Sequence, residues 1–153
     1  MEENFERSAL ALLFPDKIII ETTNKKDAGT SYCVGLNTVL FLDVSDKELG
    51  EIVMNHLSQS KYEEISYDQI KKNWKLLIKK SKYRTEKAFF QNAKYLSIKS
   101  NKGKIEFAPF QSNVSRRMFS RIPAGILELS HIPETSDIGK EIRRIWGRCL
   151  IVE

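Results

Sequence analysis

The sequence predicts an α+β fold: one domain over residues 1–153, with a mainly antiparallel β-sheet packed against several α-helices. Three observations carry this expectation. Short β-branched or aromatic runs bounded by polar residues read as strands. Segments with apolar residues at helical spacing follow Ser caps. The order of these elements, strands, then helices, a hairpin, a strand and a helix, argues for antiparallel pairing. At 153 residues the chain is long enough to bury a sizeable core and too short for two ordinary enzyme domains.

The apolar stretch Ala9 to Phe14 is short and closed by Pro15 and Asp16, so it reads neither as a signal peptide nor as a membrane span. Lys17 to Glu21 and Thr38 to Val44 read as buried strands, with another at Ser31 to Gly35 and the turn-rich TTNKKDAGT between them. Ser45-Asp46-Lys47-Glu48 has the form of a capping box, and the following Leu49, Ile52, Val53, His56 and Leu57 form one helical face that should dock on the preceding strands. A second helix is expected from Tyr67 to Lys80. Ser66 caps it, Ile70, Trp74, Leu77 and Ile78 line one side, and Lys71, Lys72, Lys75, Lys79 and Lys82 fall largely on the other. A shorter helix around Thr85 to Ala93 turns Ala88, Phe89 and Phe90 toward the core.

Tyr95 to Lys99 and Lys104 to Phe107 alternate apolar and polar residues around Ser100-Asn101-Lys102-Gly103, the pattern of a β-hairpin. Pro109, with no amide to donate, is expected to stop its second strand. PFQSNVSRRMFSRIPAG then reads as a loop, Ala124 to Ser130 as a strand, and Ser136 to Arg148 as the last helix.

One phrase occurs twice. SDKELGEIVMNHLSQS from Ser45 and ETSDIGKEIRRIWGRC from Glu134 both lead from a polar run through an aliphatic residue and Gly, Leu49-Gly50 and Ile138-Gly139, into an apolar stripe. In the second copy the stripe is Ile138, Ile142, Ile145, Trp146 and Cys149. Helix caps and patterning can generate such a likeness unaided. The two glycines are expected to let each helix approach its strand closely.

Catalytic chemistry leaves few marks. His56 lies on an apolar stripe with no nucleophile elbow beside it. His131 and Glu134 are separated by Ile132-Pro133, which spoils a helical pair. The two Cys and two His lack the short paired spacing of zinc sites, and the seven glycines form neither GxGxxG nor a Walker loop. No enzyme, metal or cofactor is therefore expected. Cys33 and Cys149 read as reduced thiols, which suits a cytoplasmic protein. The net charge of +5 resides largely in KKNWKLLIKKSKYRTEK. That run fits a small nucleic-acid-binding protein using Lys71, Lys72, Lys75, Lys79, Lys80, Lys82 and Arg84 with Tyr83 for stacking, and fits equally the solvated face of an ordinary amphipathic helix.

Asp46, Leu49, Gly50, Ser60 and Lys61 together resemble the Asp-x-x-Leu-Gly helix, ending in a Ser-Lys or Ser-Arg pair, of the CdiI-type immunity proteins of contact-dependent growth inhibition (CDI) systems. Trp74, Lys82-Tyr83-Arg84-Thr85, Lys87-Ala88-Phe89-Phe90 and Asn92 are similar to that family's middle segment, and the resemblance runs from about Thr38 to Cys149. It departs after Pro109, where Phe110-Gln111-Ser112-Asn113 stand in place of the polar and His residues frequent in the family.

The resemblance implies a cytoplasmic protein that neutralises, by stoichiometric binding without catalysis, the C-terminal toxin domain of a cognate effector. It also implies strand addition to a sheet edge as a mode of binding, for which the Tyr95 to Phe107 hairpin is a candidate. Tight interfaces depend on aromatic and Arg anchors. The segment of that composition offers Phe110, Arg116, Arg117, Met118, Phe119 and Arg121 as toxin-binding residues, and truncating Phe119 and Arg117 is expected to weaken the complex without unfolding the protein.

Overall fold

The computed structural model describes residues 6–26, 31–130 and 134–153. Its elements are β1 (Arg7–Leu13), β2 (Ile18–Lys25), β3 (Ser31–Leu40), α1 (Asp46–Ser58), α2 (Tyr67–Ser81), α3 (Glu86–Asn92), β4 (Lys94–Asn101), β5 (Lys104–Asn113), β6 (Met118–Arg121), β7 (Leu127–Leu129), α4 (Thr135–Trp146) and β8 (Leu150–Val152). The strands form one sheet in the order β3-β2-β1-β4-β5-β6, with β7 and β8 also on β5. Every pairing is antiparallel except β5 with β8, so the fold is α+β as the sequence predicts.

Helices cover both faces of the sheet. Ala9, Ala11, Ile18, Ile20, Leu96, Ile98 and Phe107 point to α1 and α4, where they meet Leu49, Val53, Leu57, Ile138, Ile142, Ile145 and Trp146. Leu10, Leu12, Phe14, Ile19 and Cys33 point the other way, to Leu77 of α2 and Phe89 and Phe90 of α3. A strand buried on both sides has no polar face, which is why RSALALL forms a strand without alternating. Trp146 ties the layers further by donating Nε1–H to the Ala11 carbonyl at 3.1 Å.

Ser45 and Ser66 cap their helices as the sequence predicts, Thr85 caps α3 in the same way, and α4 begins at Thr135, one residue before its expected start, with no side-chain cap. Ser45 accepts from the Glu48 amide at 3.1 Å, Ser66 from Gln69 at 3.2 Å and Thr85 from Ala88 at 3.0 Å.

Several boundaries differ. Ser31 to Gly35 and Thr38 to Leu40 are one strand, and Phe41 to Val44 are a turn. Of TTNKKDAGT, expected as a turn, Thr22–Lys25 instead continue β2, which pairs with both β1 and β3, and residues 27–30 lie outside the described residues, as do residues 131–133. Pro109 does not end β5. It pairs with Leu96 where β4 gives out, and the strand continues from Phe110 with new partners, β6 and β8. A residue without an amide is tolerated at such a change of partner, and the Pro109 carbonyl still accepts from Ile122 at 2.9 Å. The expected loop after it is therefore largely a strand, a turn and β6. Of the strand expected at Ala124 to Ser130, only Leu127–Leu129 pairs, after a 3-10 turn at Pro123–Gly125.

The repeated glycines act between helices rather than between helix and strand. A Cβ on Gly50 would lie 1.8 Å from the Thr135 carbonyl oxygen, and one on Gly139 would lie 2.0 Å from that of Asp46. Each glycine thus receives the first residue of the other helix. Arg143 closes the crossing by donating to Asp46 Oδ1 at 2.9 Å and to the Val44 carbonyl. The Ser60-Lys61 pair seals the far end of the same helix: Ser60 Oγ donates to Thr23 O at 2.6 Å, and the Lys61 amide donates to Asn24 Oδ1 at 2.8 Å.

Candidate functional site

Among the described residues β3 hydrogen-bonds to β2 on one side and to no strand on the other, so it forms an edge of the sheet. Its first half is occupied by side chains. Asn73 of α2 donates Nδ2–H to the Cys33 carbonyl at 2.9 Å. The β2–β3 register shifts between Glu21 and Thr23, and Gly35 sits in that bulge with φ +84°. Glu21, 0% exposed, accepts there from the Gly35 amide at 2.7 Å and from Asn37 Nδ2 at 3.1 Å. On the opposite face of the sheet, Thr22 Oγ1 donates to the His56 carbonyl at 3.1 Å and so accepts from Nδ1–H at 2.7 Å. Nε2 then accepts from the Thr38 hydroxyl at 2.8 Å, which commits His56, as a neutral ring, to holding α1 on the sheet.

The run after the bulge is open. Leu36 is 50% exposed, Val39 41%, Leu42 40% and Phe41 83%. An unpaired strand flanked by large apolar side chains is a template for another strand. The sequence reading missed this site because TVLFLDV has the composition of a buried strand, and nothing local shows that α2 stops short of its apolar residues. The hairpin proposed as an edge is interior, since β4 lies between β1 and β5. β3 is an open edge, and β6 ends the strand order on the other side.

The six residues singled out by composition separate into two groups. Phe119 is half-buried in an aromatic cluster, its ring 4.3 Å from Tyr95, 4.7 Å from Phe90 and 6.3 Å from Trp74. Phe110 packs edge-on to Tyr95 at 4.7 Å. Truncating Phe119 therefore opens the core, and a binding loss in that variant would not locate an interface. Arg116, Arg117 and Met118 are exposed at the β5–β6 turn, where Arg117 has φ +52°, and Arg121 pairs with Glu106 on the neighbouring part of β5.

Between α2 and the sheet lies a cavity of about 340 Å³ lined by Ser8, Leu10, Thr23, Tyr32, Trp74, Tyr95, Ser97 and Lys99 among others. Burial raises the pKa of Tyr95 and of both Cys33 and Cys149, leaving those thiols protonated and poorly nucleophilic. Among the described residues no group of three His, Cys, Asp or Glu could hold a metal ion, and no helix is long and apolar enough to cross a membrane.

Burial pushes the Glu21 carboxyl from an ordinary 4.5 up to about 7, against the lowering effect of the Gly35, Asn37 and Val34 donors. A carboxyl with a raised folded-state pKa binds more protons folded than unfolded between pH 4.5 and 7, so its contribution to stability grows as pH falls through that window. Lowering the pH from about 8 to about 6 should stabilise the wild type by about 1 kcal/mol relative to Glu21→Gln. Burial lowers the His56 pKa, so His56 opposes this below its ordinary 6.5 in both proteins and cancels in the comparison. Urea unfolding at the two pH values measures the difference, and parallel pH dependence in the two proteins would contradict it.

No curated protein matches the sequence. Among solved structures, a protein of unknown function from Neisseria meningitidis is similar with TM-score 0.84 at 20% identity over 97% of this chain and 98% of that one. A CdiA-CT/CdiI toxin and immunity complex from Yersinia pseudotuberculosis contains a chain similar with TM-score 0.82 at 20% identity, over 95% of this chain and 98% of that one. At that identity the two structures establish a shared fold. The family model described as CdiI, CDI immunity protein, matches residues 7–149, from the start of β1 to the end of the α4 segment, and this chain belongs to that family.

Proposed function

We propose that this chain is a cytoplasmic immunity protein that binds the C-terminal toxin domain of its cognate contact-dependent growth inhibition effector and neutralises it stoichiometrically, without catalysis. The observation that carries this reading is membership of the CDI immunity family across residues 7–149. The solved relative from Yersinia pseudotuberculosis is a complex of toxin and immunity protein. Among the described residues, His56 and Glu21 are spent on structure: both His56 nitrogens are engaged by threonines, and the Glu21 carboxylate closes the bulge in β3. The chain folds as one domain over 1–153 in this account.

For the docking surface we infer strand addition to β3 between Leu36 and Leu40, with Leu36, Val39 and Phe41 as apolar anchors beside the new strand. Main-chain hydrogen bonds supply part of the affinity there, and the flanking side chains supply selectivity. The exposed Arg116, Arg117 and Met118 at the β5–β6 turn are the second candidate contact, favoured by their cationic and thioether character at a protruding turn. Phe110 and Phe119 hold that hairpin on the Tyr95 ring, and Arg121, exposed on β6, pairs with Glu106. Expression of this chain together with the toxin segment of the adjacent effector gene should restore growth to cells that the toxin alone arrests; unrelieved arrest at equal expression would remove the reading.

A further inference from the structure

We infer that the outer face of α2 is an electrostatic docking surface for an acidic face of the toxin domain. This rests on the toxin-binding reading above and adds the chemical character of the partner. Residues 67–87 carry seven Lys and one Arg against Asp68 and Glu86, a net +6, whereas the whole chain carries +5. The remainder is therefore close to neutral, at −1 by difference. Lys71, Lys72, Lys75, Lys79, Lys80, Lys82, Arg84 and Lys87 are all exposed, and among the described residues none of them makes an ion pair.

Helix stability explains only part of this face. Lys79 and Lys80 lie in the last turn, where cations complement the helix dipole. Lys71 and Lys72 lie in the first half and Lys75 at the middle, where the dipole offers them nothing. Lys71–Lys75 and Lys75–Lys79 are like charges four residues apart, which destabilises a helix. Burial does not require them, because α2 docks through Asn73, Leu77 and Ser81 with Trp74 and Ile78 alongside. Two large side chains stand exposed on the same helix, Leu76 and Tyr67, the latter with the Lys71 ammonium 4.8 Å from its ring centroid. Lysines surrounding such groups form a surface that an acidic partner with apolar contacts would complement, relieving the repulsion within the helix.

The position fits the proposed interface. α2 packs on β3, and Asn73 bonds to the Cys33 carbonyl at 2.9 Å, just before the open stretch of that strand. A toxin adding to β3 would approach alongside α2. Its surface there should carry Asp and Glu, and the lysine field would raise the encounter rate more than it slows dissociation.

Stopped-flow association with an inactivated form of the cognate toxin domain tests this, using wild type, Lys71→Glu/Lys75→Glu/Lys79→Glu, and the matching Gln triple variant as a control that keeps helix-forming side chains. For wild type, the association rate should fall at least about tenfold between about 50 and about 500 mM salt. At low salt the Glu variant should associate at least about tenfold more slowly, with its dissociation rate within about twofold and the Gln variant between the two. A complex that forms at a salt-insensitive rate, unchanged in the variants, overturns this inference and leaves the immunity reading standing. Absence of any complex overturns both. A short duplex DNA or RNA of about 20 base pairs is the second probe; binding that the Glu variant loses while its toxin association stays unchanged would assign the face to nucleic acid and overturn the inference.

Discussion

Gly139→Ala and Gly50→Ala should each lower the unfolding free energy by about 3 kcal/mol, measured by urea unfolding at fixed pH. Alanine ordinarily favours a helix by up to about 1 kcal/mol over glycine, so the expected sign runs against intrinsic propensity. The crossing decides it. The added methyl would lie 2.0 Å from Asp46 O or 1.8 Å from Thr135 O, both backbone atoms that cannot rotate away. The helices must then part. Separation pulls Leu49, Val53, Ile138 and Ile142 from a shared core and strains the Arg143 contacts with Asp46 and Val44. Because both methyls attack one crossing, the double variant should cost less than the sum of the two. Either single variant within about 0.5 kcal/mol of wild type would mean that the helices are not held this close.

Phe41→Asp combined with Leu36→Asp should weaken the toxin complex at least about 100-fold, about 3 kcal/mol, while leaving the unfolding midpoint nearly unchanged. Phe41 is largely exposed and Leu36 half-exposed, and neither belongs to the two core clusters. A carboxylate at each position would be desolvated by an incoming strand without a partner charge. Titration calorimetry on the variant and the wild type reads the difference. Undiminished affinity would move the interface to the β5–β6 turn, where Arg116, Arg117 and Met118 could be tested in the same way.

The fold was legible wherever a local rule decides the outcome. Ser45, Ser66 and Thr85 announce helices because capping is settled within four residues, and β4–β5 pairs around a short turn. What escaped depends on distant partners. β1 has no polar face because helices cover it on both sides, β8 is three residues made a strand by pairing with β5, and Pro109 sits where β5 exchanges partners. The repeated Leu-Gly and Ile-Gly phrases were visible in the sequence; that each glycine receives the other helix was not, because contact between residues 50 and 135 is a tertiary fact. The same limit applies to the candidate interface. Composition marks Phe110 and Phe119 and the aliphatic run after Gly35 alike as apolar, and only the packing separates aromatics turned inward onto Tyr95 from Phe41 turned out to solvent.

Calorimetric titration of this chain with the inactivated toxin domain of its own effector tests the central claim most directly. The account predicts a single transition at one toxin per immunity protein with a dissociation constant near or below about 10 nM. No detectable heat or complex at concentrations of about 10 μM, with both proteins folded, would contradict it.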